Sequence, residues 1–214
     1  MQVAVLVAGF VLEVVAWRAV AAGRASVWGL MVGVFAVHGV VAMIVLPPIA
    51  SGHEPLVTVL VVGALSGLAL WAATLAFVAV AVRWEPFRRA VADRYARAAE
   101  VSLPTAVAIS LLIAVPGEEL FWRNLAQRRL GVSSEVLGAV AAWVGYVAAN
   151  VASGSLPFVA GAVVGGAVWG GLAWWTGGIA ASLASHGVWT TMMLLRPPSS
   201  GRRGGRAVVE AAPG

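Results

Sequence analysis

The chain has 214 residues, 61% of them hydrophobic and 11% charged, with a mean hydropathy of +0.92. A soluble domain carries about 25% charged residues, so a water-facing globule is excluded, and the length allows one bundle of roughly six to eight spans at about 20 apolar residues each. The net charge of +5 comes from 14 basic residues that are all Arg; such residues in short loops orient membrane helices, and without a soluble reading surface they exclude nucleic acid as a partner.

The absence of Cys removes disulfides, thiolate zinc sites and Cys nucleophiles. Met1 to Trp17 lacks the positive n-region and cleavage site of a signal peptide and reads as a first span, 2–17, with Glu13 near its end. A second span, 27–46, stops at Pro47-Pro48, and a third runs over 56–82. The segment 83–100 is the most charged, and its Arg residues mark it as cytoplasmic. Phe87, Val91, Tyr95 and Ala98 share one face, which predicts an interfacial helix.

The stretch 101–130 begins apolar, breaks at Pro116-Gly117 and then carries the charged run EELFWRNLAQRR. It either crosses once, which leaves Arg128 and Arg129 on the outer side, or re-enters, which moves the C-terminal tail there. Further spans follow at 135–152, 157–175 and 178–195. The pattern predicts an all-α polytopic transmembrane bundle of about seven spans, a single domain over 1–196 followed by a disordered Arg-rich tail, 197–214. The lipid bilayer is its first partner, and a bacterial cell membrane is its expected location.

Glu118, Glu119 and Arg123 carry the strongest chemical signal. A charge at membrane depth costs about 2.5 kcal/mol or more and survives by pairing. Glu119 and Arg123 are i,i+4 neighbours suited to an ion pair. Glu118 lies about 100° round the helix, free to enter a cavity, where a carboxyl in a low-dielectric site suits a general base acting on water. His186 sits within the last span with Thr190 on the same face, and an imidazole there can ligate metal, serve an oxyanion or bond a neighbouring helix. Asn150, one turn after Tyr146, can join helices or present an amide to a carbonyl. His53, in a loop beside Glu54, reads as solvated; His38 lies mid-span without a supporting motif. Trp17, Trp28, Trp84 and Trp122 read as interfacial anchors.

The order Glu118-Glu119-x-x-x-Arg123, then Tyr146-x-x-x-Asn150, then His186-x-x-x-Thr190 on successive membrane segments resembles the CPBP intramembrane protease family. That family is related to the type II CAAX prenyl protease and to bacteriocin self-immunity proteins. The resemblance covers about 100–195. It implies a membrane endopeptidase acting on a peptide or protein, with Glu118 as base, Glu119 and Arg123 as partners, and His186 and Thr190 on the oxyanion side. Where the family has Phe-x-x-x-His, this chain has Tyr146 and Asn150, and its third motif ends in Thr190 where Asn is common. A metal, zinc in the first instance, would be left with Glu118 and His186 as ligands, so weak or no binding is expected. The alternative is an inactive relative serving as membrane scaffold or peptide-binding protein. A rhomboid-like pair of Ser153 and His186 would leave the two Glu residues unexplained.

Overall fold

The computed structural model describes residues 2–198; of the tail 197–214, the part from 199 onward lies outside the described residues. All regular structure among them is helical. The helices are α1 (Gln2–Ala21), α2 (Val27–Val45), α3 (Leu56–Ala81), α4 (Glu85–Ala98), α5 (Leu103–Leu130), α6 (Glu135–Val151), α7 (Leu156–Thr176) and α8 (Ala180–Leu195). Five of them, α1, α2, α3, α5 and α7, are long and apolar enough to cross a membrane. With the shorter α6 and α8 packed among them, about seven membrane-scale helices form the bundle of an integral membrane protein.

Local chemistry sets the helix ends. Ser26, Ser102 and Ser134 each accept a hydrogen bond from the backbone N–H three residues on, capping α2, α5 and α6. Gly177 ends α7 at φ 63°, a left-handed conformation that suits glycine. The α4 helix is amphipathic, and its buried Phe87 and Val91 pack on Val78 of α3. Burial pushes the Tyr95 hydroxyl up to about 12, so it remains a donor, and it bonds the Met193 carbonyl of α8 at 3.3 Å.

The sequence break at Pro116-Gly117 does not interrupt α5. The helix runs on for 28 residues, about 40 Å at an ordinary helical rise, and traverses the bundle without turning back. Its winding is relaxed instead: Ser110–Ala114 and Glu119–Gln127 are π-helical. Gly117 lets the α2 backbone close in, since a Cβ there would strike the Phe35 carbonyl oxygen. The unbroken course of α5 puts the α1–α2 loop, α4 and the end of α8 at one end of the bundle. Two contacts agree: the Trp28 indole donates to the Arg97 carbonyl at 3.1 Å, and Tyr95 reaches Met193. At the other end Arg128 donates to the Pro47 carbonyl, and the Gly52 and His53 amides to the Thr176 carbonyl.

The Trp residues also depart from expectation. Trp84 is exposed, but Trp17, Trp28 and Trp122 are buried. Their indoles fill the bundle because the abundant Gly and Ala leave space that small side chains cannot close.

The α3–α8 seam depends on such glycines. A Cβ at Gly67 would meet the Ser185 carbonyl, a backbone atom that cannot swing away, whereas one at Gly33 of α2 meets nothing within 4 Å. Gly67→Ala should therefore lower stability by about 1–3 kcal/mol. Gly33→Ala should be neutral or slightly stabilising through helix propensity. Thermal unfolding of the two variants in detergent measures the contrast, and equal effects would refute the close-packed seam.

Candidate functional site

The charged turn of α5 is the deepest polar feature of the bundle. Glu119 is 0% exposed and Arg123 3%. Their ion pair spans 3.4 Å, and the Arg123 guanidinium also lies over the Tyr146 ring, 4.4 Å from its centroid. His186 brings its Nδ1 to 2.9 Å from the same Glu119 oxygen, while its ring stacks on Trp169 at 3.6 Å. With an acceptor carboxylate opposite, Nδ1 carries the proton, which fixes the tautomer and turns Nε2 away from Glu119. Glu119 thus holds α5 and α8 together through one carboxylate.

Glu118 does not share this pair. Its Oε2 accepts a 2.7 Å hydrogen bond from the Tyr146 hydroxyl of α6. The side chain lines a cavity of about 490 Å³ whose wall also includes Asn150, His186 and Thr190. Four side chains singled out from three separate motifs therefore face one space. Asn150 is buried and donates its amide to the Tyr146 carbonyl at 2.9 Å, a bond within its own helix. Ser153 lies outside the cavity wall and donates to the Asn150 carbonyl, so it forms no pair with His186.

Three further polar groups belong to this region, and the sequence reading gave none of them a role in the site. Tyr146 entered only as the first residue of the second motif, yet its hydroxyl is what engages Glu118. Arg94 and Tyr95 of α4 line the cavity from the end of the bundle. On the far side of α5, Glu13 and His38 form a second buried cluster. Glu13 accepts from the Trp122 indole at 3.0 Å and stands 3.8 Å from His38, whose ring stacks on Phe121 at 4.0 Å. The available signal was the isolation of Glu13 and His38 within apolar spans, where an ionisable residue needs a partner. His53 is exposed in its loop, as expected.

A zinc ion in a catalytic site takes about three protein ligands. The donor set does not match it. Among the described residues no three His, Cys, Asp or Glu side chains group as a metal site. His186 spends Nδ1 on Glu119 and Glu118 spends one oxygen on Tyr146. Asn150 stands where a third ligand would be needed, and a carboxamide is a poor transition-metal ligand.

Glu119→Gln should destabilise the protein by about 3–5 kcal/mol, the cost of leaving the buried Arg123 charge unpaired. Removing both charges, Glu119→Gln with Arg123→Met, should cost less than Glu119→Gln alone. A double-mutant cycle read by detergent unfolding checks this, and simple additivity would contradict the buried pair.

Against known proteins, a family model described as type II CAAX prenyl endopeptidase Rce1-like matches residues 100–192. No curated protein and no solved structure matches the chain. The matched segment runs from the start of α5 into α8 and contains Glu118, Glu119, Arg123, Tyr146, Asn150, His186 and Thr190. Residues 100–192 are thus similar to the type II CAAX prenyl endopeptidase Rce1-like family, the protease group that the three motifs resemble.

Proposed function

We propose that the protein is a membrane-embedded endopeptidase of a bacterial cell membrane, cleaving a peptide or protein in the cavity between α5, α6, α7 and α8. The observation that carries this reading is the convergence of Glu118, Asn150, His186 and Thr190 on that cavity.

In the reaction a water held by the free oxygen of Glu118 loses its proton to the carboxylate as its oxygen attacks the peptide carbonyl. The tetrahedral intermediate gathers negative charge on the former carbonyl oxygen. Thr190 donates its hydroxyl to that oxyanion. His186, held through Nδ1 by Glu119, lies on the same wall of the cavity as Thr190. Collapse of the intermediate breaks the C–N bond, and the proton on Glu118 passes to the leaving amine. The Tyr146 hydroxyl aims the Glu118 carboxylate throughout. Glu119 and Arg123 are positioning residues rather than reacting ones.

A second reading rests on Asn150. A carboxamide bonded back to its own helix neither takes a proton nor binds a metal. On this reading the chain is an inactive relative that uses the cavity to bind peptides.

Peptide cleavage in liposomes distinguishes the two. For the enzyme, Glu118→Gln keeps the shape and removes the base, so the rate should fall by about 10² to 10⁴. Tyr146→Phe should lower kcat by about tenfold with little change in KM, because one orienting hydrogen bond is lost. Cleavage unchanged in Glu118→Gln would refute the mechanism. Activity that appears only in Asn150→His would establish the inactive-relative reading.

A further inference from the structure

The bundle holds a second cavity, of about 370 Å³, at the end opposite α4. It lies where the last turns of α5 and α7 meet the α2–α3 loop and the start of α6, and its ionisable side chains are Arg123, Arg128, Glu135 and His53. Arg123 is buried at its floor and already committed to Glu119. His53 and Glu135 are exposed at its mouth. Arg128 and Glu135 take no part in the wall of the peptide cavity.

Two opposite charges line this space without meeting. The ion pairs among the described residues join Glu85 to Arg88 and Arg89, Glu119 to Arg123 and His186, and Glu13 to His38; Arg128 and Glu135 are in none of them. The Arg128 Nη1 donates to the Asn124 side-chain oxygen at 2.7 Å and to the Pro47 carbonyl at 3.2 Å. Those bonds fix the guanidinium and leave its Nε and Nη2 edge without a partner among the described residues. Such an edge takes two oxygens of a phosphate or carboxylate at once. Glu135 offers a carboxylate, which when ionised only accepts hydrogen bonds. A ligand that answers both groups carries an anion and a cation with N–H donors, so it is a zwitterion.

The surroundings point to lipid as its source. Both α5 and α7 are long enough to cross a membrane, and they end beside the cavity at Leu130 and Thr176. Trp174 and Trp175 stand partly exposed at that end of α7, and Trp settles where lipid meets water. From Glu135 the outer face of α6 continues as Val136, Val140 and Val144, one exposed side chain per turn. We propose that the cavity binds a phospholipid whose head group carries a primary ammonium, with the phosphate on Arg128, the ammonium on Glu135 and an acyl chain along the valine stripe. Glu135 finds no N–H on a quaternary ammonium and repels a head group of net negative charge, so the primary amine is what the site selects. Asn124, Gln127 and Arg128 lie on or directly after the π-helical turn that carries Glu119 and Arg123, and a lipid held there braces that turn. The assignment is independent of what the peptide cavity does.

The test is a lipid titration of the full chain, purified and delipidated in detergent and followed by native mass spectrometry. Phosphatidylethanolamine, phosphatidylcholine and phosphatidylglycerol with identical acyl chains are compared. Phosphatidylethanolamine should bind on the order of tenfold more tightly than either of the others. Glu135→Gln should bring it to within about twofold of phosphatidylcholine, and retained phosphatidylcholine binding reports a folded protein. Arg128→Gln should weaken every lipid on the order of tenfold. Where Arg128→Gln does not fold, Arg128→Lys keeps the charge, loses the fork and should weaken every lipid to a smaller degree; undiminished binding in the variant that folds overturns the assignment. Arg88→Gln, at the other end of the bundle, should change nothing, and a loss equal to that of the Arg128 variant would reduce the effect to general charge attraction and overturn the site. Equal binding of the lipids by the parent, tighter phosphatidylglycerol, or an ethanolamine preference that survives Glu135→Gln overturns the proposal. Soluble phosphoethanolamine that binds as tightly as the lipid also overturns it, by giving the cavity to a small solute.

Discussion

Charges cannot stand alone inside an apolar bundle, and this constraint organises the structure around Glu119. A charge at mid-membrane costs about 2.5–3.5 kcal/mol even on the most lenient scale. Glu119 offsets that cost by serving two cationic or polar partners from different elements, Arg123 of its own helix and His186 of α8. The π-helical winding of Glu119–Gln127 accompanies this arrangement, in keeping with the frequent use of such turns at functional sites. Because Glu119 is committed to this network, its neighbour Glu118 faces elsewhere, toward the cavity. The two adjacent carboxylates therefore have different work, one holding helices together and the other facing the space where chemistry can occur.

The rest of the bundle supports that division. Tyr146 bridges the two halves of the site, with its hydroxyl on Glu118 and its ring beneath the Arg123 guanidinium. Trp169 stacks against His186 and limits its rotation. Behind α5, Glu13 and His38 take the Trp122 indole and the Phe121 ring, so the LFW stretch of the motif is gripped from the side away from the cavity. The N-terminal helices thus do more than fill space, although the family match covers only residues 100–192.

The spans were legible because long uncharged stretches have few alternatives in water or lipid. Helix ends agree with the sequence reading to within a few residues, and the amphipathic 83–100 segment was legible from the spacing of Phe87, Val91 and Tyr95. The Glu119–Arg123 pair followed from i,i+4 spacing and the need to neutralise both charges. Other features were hidden for physical reasons. Pro116-Gly117 looked like a break because local propensity does not include the packing of Gly117 on Phe35, which holds α5 continuous. Trp122 looked interfacial because its partner, Glu13, is 109 residues away in sequence. Tyr146 was legible as an aromatic, but nothing in its spacing revealed that its hydroxyl would meet Glu118.

The central claim is that a peptide occupies the cavity onto which Glu118, Asn150, His186 and Thr190 converge, whether it is then cut or only held. The sequence has no Cys, so a single introduced thiol can plug that space cleanly. Ala160 lines the cavity, whereas Val57 is 74% exposed on the outside of α3. Alkylation of Ala160→Cys with a bulky maleimide, followed by titration of a fluorescent apolar peptide, tests the claim most directly. The account predicts that blocking Ala160→Cys abolishes peptide binding while the same label on Val57→Cys leaves it unchanged. Undiminished binding to the plugged protein would contradict it.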